Sequence, residues 1–182
     1  MGWWHEFGAI RRLHSGEIVA HPTEGVFGLG CRAMDMEACR RVAELKRRSP
    51  KQPFITVVAD FRQIEAAVDL SQIDFGAIAA SWPGPETWIF PATIAAPKWL
   101  VSRESTMAVR VTGHAQFARL CAAVGPMIST SANPKSRQPA LNLIQAHRYF
   151  GRSVDFYLNG ELNAPGRPSR IRDAGTGLHI RA

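Results

Sequence analysis

Apolar positions along the chain switch repeatedly between helical spacing and short unbroken runs. Trp3, Phe7 and Ile10 recur at helical intervals until Ser15-Gly16, which predicts an N-terminal helix. Glu17–His21 reads as a short strand, closed by Pro22 because proline cannot continue a central ladder. Asp35 is placed to cap a helix whose apolar face is Ala38, Val42 and Leu45; the helix runs out at Lys46-Arg47-Arg48, ahead of Pro50. Phe54–Ala59 is almost wholly apolar, as a strand covered on both faces should be. Helical spacing returns over Phe61–Leu70 and Ile73–Trp82, and Pro83-Gly84-Pro85 then forces a turn into the strand Thr87–Phe90.

The second half repeats the alternation. Met107–Val111 predicts a strand that carries Arg110 inside it, and His114–Val124 a helix. A short strand at Met127–Ser129, a polar loop Ser131–Pro139, a helix Leu141–Phe150 and an extended Val154–Leu158 follow. Two alternating arms around Gly175-Thr176-Gly177 signal a final hairpin. Strands that alternate with helices but also meet in pairs imply an α/β domain with a mixed sheet.

A chain of 182 residues suits a single domain over its whole length, 1–182. The nearest approach to a membrane span is Trp88–Ala96, which is short and contains Pro91, so no membrane association is expected. The N-terminus has neither the pattern of a signal peptide nor that of a myristoylation site. Cys31, Cys39 and Cys121 form no CxxC pair and read as buried thiols of a cytoplasmic protein. Charge adds more: Lys and Arg number 22 against 15 Asp and Glu, a net of +7. Arginine dominates the basic set, which favours phosphate, carboxylate or RNA partners.

Several chemistries are excluded by missing patterns: there is no P-loop, no HExxH, no zinc-type Cys/His spacing and no GxSxG elbow. Gly28-Leu29-Gly30-Cys31-Arg32-Ala33 fits the looser dinucleotide pattern GxGxxA. Its distance from the preceding strand and from Asp60 is wrong for that role, and a close turn under the sheet is the simpler reading. What remains is a set of anion-binding residue types at strand ends and loops. Lys46-x-Arg48 stands at a helix end, Ser129-Thr130-Ser131-Ala132-Asn133 follows an apolar strand, and Pro22-Thr23-Glu24 closes another. Arg110, in mid-strand, needs either an internal carboxylate or a ligand anion.

Taken together and in order, six segments resemble the YrdC-type threonylcarbamoyl-AMP synthases. They are His21-Pro-Thr-Glu-Gly-Val-Phe-Gly-Leu-Gly30, Glu44-Leu-Lys-Arg-Arg48, Trp82-Pro-Gly-Pro-Glu-Thr87, Met107-Ala-Val-Arg-Val111, Ser129-Thr-Ser-Ala-Asn133 and Pro168-Ser-Arg-Ile-Arg-Asp173. The resemblance runs from about His14 to Arg181 and is to the short, single-domain branch. It implies a twisted mixed parallel and antiparallel sheet flanked by helices. It also implies a nucleotidyltransferase that makes threonylcarbamoyl-adenylate and pyrophosphate from L-threonine, bicarbonate and ATP. The product would pass to tRNA threonylcarbamoyl-transfer proteins that modify adenosine 37. ATP would enter with Mg²⁺ as a substrate, and no tightly bound organic cofactor is expected.

By the same resemblance, Lys46, Arg48, Ser131 and Asn133 are the catalytic set and also contact ATP, together with Gln52, Thr106 and Arg181. Thr23, Arg110, Ser129 and Ser169 would hold L-threonine. Three departures stand out. Gly25 replaces a threonine common in the family, Pro53–Val58 lacks the histidine many members carry, and the loop after Asn133 brings Arg137 where a glycine is usual. The alternative from the residues alone is a non-catalytic module that binds double-stranded RNA or tRNA on its basic surface. Contact with tRNA is compatible with either.

Overall fold

A computed structural model of the chain describes residues 2–49, 52–164, 166 and 169–181, the side chains of Gly2 and Trp3 excepted. The breaker Pro50, the motif residue Pro168 and the Trp3 side chain therefore lie outside the described residues. Helix α1 (Gly2–His14) leads into β1 (Val19–His21), β2 (Gly28–Arg32) and α2 (Met36–Leu45). Then come β3 (Ile55–Val58), α3 (Phe75–Ser81), β4 (Glu86–Pro91), β5 (Thr106–Val111), α4 (Ala115–Val124) and β6 (Met127–Ser131). The chain continues through α5 (Leu143–Phe150), β7 (Phe156–Tyr157), β8 (Arg170–Asp173) and β9 (His179–Arg181). These strands form one sheet in the order β7-β1-β2-β6-β3-β5-β4-β8-β9. The pairs β1·β7, β3·β5 and β4·β8 are parallel and the remainder antiparallel, so the expected mixed α/β sheet is present.

Helix ends follow the chemistry of their residues. The Asp35 carboxylate accepts from the Ala38 N–H at 3.0 Å, which caps α2 as its sequence predicts. Lys46 closes that helix, and Arg47 then adopts a left-handed φ of 47°, so the chain leaves α2 abruptly and the basic run turns toward the sheet. His114 caps α4 through Nδ1, and Asn142 caps α5.

Because strand residues alternate between faces, the sheet divides the core in two. On one face α1 and α4 pack Leu13, Phe117, Leu120 and Cys121 over Val19, Val57 and Met127. On the other, α2, α3 and α5 cover Leu29, Val58, Trp88, Phe90, Met107 and Ile128. All three cysteines are buried as free thiols.

Three expectations need correction. Gly28–Arg32 is a strand antiparallel to β1, not a turn, and Gly28 and Gly30 are there because His21 lies against them. A Cβ at Gly30 would sit 2.8 Å from both His21 Nε2 and the Ile128 carbonyl oxygen. Phe61–Leu70 forms two 3₁₀ turns, Phe61–Gln63 and Glu65–Ala67, rather than an α-helix. Asp60 caps the first turn, and Val68 is drawn into a bridge with Ala92 before a longer helix can propagate. Only Phe156–Tyr157 of the extended 154–158 segment joins the ladder.

Candidate active site

The face covered by α1 and α4 is helix-covered at one end only. Beyond their reach, the same row of side chains floors a cavity of about 310 Å³. Register explains the composition of this floor. Ile55 pairs with Ser129, Ile89 pairs with Ala108, and Arg110 follows Ala108 two residues on, so all of them emerge on one side. Ile171, on β8, reaches the same floor because β8 runs parallel to β4. Walls come from the Pro22–Phe27 loop, from Arg48 and Pro53 after α2, and from Ser169 and Arg181 near the C-terminal strands.

Of the residues singled out in the sequence, Thr23, Arg48, Arg110, Ser129, Ser131, Ser169 and Arg181 line this cavity. Lys46 and Asn133 stand just behind it. The Lys46 ammonium donates to the Ser131 carbonyl at 2.7 Å, to Asn133 Oδ1 at 3.0 Å and to the Asn133 carbonyl. Ser131 Oγ donates to Asn133 Oδ1 at 2.6 Å, and Asn133 Nδ2 donates to the Arg137 carbonyl. Two motifs 85 residues apart are thus one hydrogen-bonded unit. Gln52 and Thr106 are not brought to the cavity wall. Gln52 is exposed, and Thr106 shares a 2.8 Å hydrogen bond with Ser102, one step beyond Ala108 on the floor row.

The electrostatics are strongly cationic. Three guanidinium groups, Arg48, Arg110 and Arg181, face one cavity. Burial and the nearby Arg48 charge push Lys46 down to about 8. Burial, and then the charge of Arg181, hold Arg48 below the usual guanidinium range, and burial with Arg110 does the same to Arg181. Neither shift discharges an arginine at neutral pH. Arg48 donates to the Pro53 carbonyl at 2.6 Å and stacks over Phe54, with its Nε unpartnered. Arg181 donates to the Ser169 carbonyl at 2.7 Å and to Ser169 Oγ at 3.3 Å. An anionic ligand in the cavity would relieve this mutual repulsion.

Sequence reasoning did not assign a role to Glu24, though it sits in a quoted motif. It is the one acidic residue lining the cavity among the described residues, and its Oε1 accepts from Thr112 Oγ1 at 2.8 Å and from the Gly113 N–H at 3.0 Å. Oε2 is buried and has no hydrogen-bond partner among the described residues, and Arg110 Nη2 is 3.5 Å away. Burial pushes its carboxyl up, but the Arg110 charge and these hydrogen bonds outweigh that and hold it below the usual carboxylate range. Thr23 Oγ1 donates to the Val26 carbonyl at 2.7 Å, which fixes the loop that carries Glu24. Within Pro53–Val58, the segment without a histidine, Val57 is buried under α4.

A mixed sheet whose open face ends in an arginine-lined cavity defines an α/β protein built to receive anions. The chain belongs to the Sua5/YciO/YrdC family, whose description reads telomere recombination and which matches residues 11–181. It is 41% identical over 175 residues to a threonylcarbamoyl-AMP synthase of Halorhodospira halophila, covering 95% of this chain and 92% of the relative. A threonylcarbamoyl-AMP synthase of Nitrosococcus oceani is 42% identical over 180 residues, 98% of this chain and 97% of the relative. The P. abyssi Sua5 structure complexed with L-threonine superposes with a TM-score of 0.84 at 28% identity over 94% of this chain. This chain spans about half of that one, 51%. E. coli YciO, at 23% identity and a TM-score of 0.84, matches in fold over 97% of this chain and 87% of its own. No helix among the described residues is long and apolar enough to cross a membrane.

Proposed function

We infer that the chain is a threonylcarbamoyl-AMP synthase, a nucleotidyltransferase serving the threonylcarbamoyl modification of tRNA position 37. The observation that carries this reading is the convergence of Arg48, Arg110 and Arg181 on one cavity, with Lys46 bonded to its rim. Relatives at 41% and 42% identity bear that name, and a related Sua5 is complexed with L-threonine. The non-catalytic RNA-binding alternative draws only on net charge, which the enzyme accommodates equally. Exposed arginines remain compatible with contact to tRNA.

In this reading the threonine amine joins bicarbonate to form a carbamate, releasing water. A carbamate oxygen then attacks the α-phosphorus of ATP, and the bond to pyrophosphate breaks. Nucleophile and electrophile are both anionic, so the protein must hold them together against their repulsion. Arg48 and Arg181 neutralise the triphosphate and the carbamate, and Lys46 orients the Ser131–Asn133 loop whose donors meet phosphate oxygens. Arg110 forks the threonine carboxylate, with Thr23, Ser129 and Ser169 completing that pocket. Mg²⁺ accompanies ATP as part of the nucleotide substrate. The described residues hold no cluster of three or more His, Cys, Asp or Glu, so phosphates and water would supply most of its ligands. The adenylate would then pass to tRNA threonylcarbamoyl-transfer proteins.

The test is pyrophosphate release from ATP, with L-threonine and bicarbonate added singly and together. Release that requires both is the expected result; release indifferent to threonine would overturn the reading.

A further inference from the structure

A cavity that gathers three guanidinium groups would bind phosphates best with no carboxylate in it, yet Glu24 is buried in its wall. Removing a carboxylate from water is costly, and this one is held in place by Thr112 and Gly113. Its geometry with Arg110 is unusual for a purely internal ion pair. Such pairs close to about 2.7–2.9 Å, often with two bonds. Here the separation is 3.5 Å, Glu24 Oε2 accepts no hydrogen bond, and Arg110 Nε donates none. Two opposite charges lie side by side in the cavity lining, each with a buried hydrogen-bonding atom that has no partner among the described residues. That is the complement of a molecule carrying a carboxylate and an ammonium on one carbon.

We propose that Glu24 determines specificity for the amino-acid substrate by receiving its α-ammonium group while Arg110 takes the α-carboxylate. The proposal rests on the synthase reading and deepens it. Glu24 divides one cationic cavity into two subsites of different character. Near Glu24 a phosphate oxygen meets a fixed negative charge and is rejected, so the triphosphate is confined to the side of Arg48 and Arg181. A zwitterion drawn against this pair complements both charges, whereas a simple hydroxy acid offers the Glu24 carboxylate no cation. The competing role for Glu24, a clamp holding its loop to Thr112, makes no distinction between those two ligands.

The experiment is calorimetric titration without nucleotide, using L-threonine and 3-hydroxybutyrate, which keeps the carboxylate and hydroxyl but lacks the ammonium. The wild-type protein is expected to prefer threonine by about tenfold or more. Glu24→Gln still accepts from Thr112 and Gly113 through its amide oxygen. It is expected to lose at least about tenfold in threonine affinity and to leave 3-hydroxybutyrate unchanged or tighter, so the preference collapses. Equal weakening of both ligands, or a wild-type preference retained in the variant, would overturn the proposal in favour of the clamp. Should the variant not fold, the wild-type ratio decides: equal affinity for the two ligands overturns the role of Glu24 while leaving threonine-dependent pyrophosphate release intact. A wild-type protein that binds neither ligand and releases no pyrophosphate overturns the synthase reading and this proposal with it.

Discussion

Lys46 Nζ lies 3.0 Å from Asn133 Oδ1, so the end of α2 and the loop after β6 share one hydrogen-bonded knot. Removing either side chain breaks the only direct side-chain link between the two segments among the described residues, while Lys46 keeps its bonds to the Ser131 and Asn133 carbonyls in the Asn133 variant. Lys46→Ala and Asn133→Ala should each lower threonine-dependent turnover by about 10²–10³-fold, the range seen when a positioned donor is lost. The double variant should be only slightly worse than the single ones, since both break the same unit. Pyrophosphate release by the three proteins measures this; additive losses would mean that the knot is not a functional unit.

Lys46 also sets a pH dependence. Its folded value, about 8, lies below the ordinary 10.5, so the protonated form is disfavoured in the folded chain. Activity that needs the ammonium should therefore fall as pH rises through about 8, seen as a rising KM for ATP. Stability moves the other way. Between about 8 and 10.5 the unfolded chain binds the extra proton, and this residue's contribution to folding becomes more favourable as pH rises. Lys46→Arg, which stays charged, should remove the alkaline limb from the KM profile.

His21 acts at the acid end. Its Nδ1–H donates to the Pro22 carbonyl, its Nε2 is unpartnered, and burial lowers it to about 4 from an ordinary 6.5. Below 6.5 the unfolded chain takes a proton that the folded chain refuses, so stability should fall as pH drops from 6.5 toward 4. The slope reaches at most about 1.4 kcal/mol per pH unit from this group. His21→Gln should shallow the decline, as followed by urea unfolding across that range.

Arg110→Lys replaces a fork by a single ammonium. The KM for L-threonine should rise about 10–100-fold while ATP affinity stays within about threefold, as steady-state kinetics and nucleotide titration will read. Equal losses for both ligands would contradict a dedicated amino-acid site at Arg110.

Two glycines should respond with opposite sign to the same change. Gly30→Ala drives a Cβ to 2.8 Å from the Ile128 carbonyl oxygen and from His21 Nε2, and should cost about 1–3 kcal/mol. Gly8, inside α1, meets only Phe156 at 3.5 Å, so Gly8→Ala should stabilise by about 0.5–1 kcal/mol. Thermal unfolding of both variants tests the pair.

Much of this site was legible because its residues sit in short segments whose order and spacing are distinctive. Lys46, Arg48, Ser131 and Asn133 stand where a helix ends and a strand ends, and both ends are readable from local pattern. Gly28–Arg32 was not legible as a strand, because a Gly-Leu-Gly stretch lacks the β-branched residues that signal one. Its strand character comes from pairing with β1 and β6. Phe61–Leu70 had helical spacing, but the tertiary bridge from Val68 to Ala92 overrode it. Glu24 kept its function hidden because its partners, Arg110, Thr112 and Gly113, come from a strand end 88 residues away at Thr112.

The parallel pairing of β8 with β4 has a consequence for how the cavity is closed. Ser169, Ile171 and Arg181 reach the cavity only through that late strand and its neighbour β9. The elements α1 through β7 hold nearly all of both cores, and without β8 and β9 they would present an open trough. The third guanidinium depends on that pair, so a molecule whose β8 and β9 have come away from β4 keeps its sheet and loses one wall of the site in a single step.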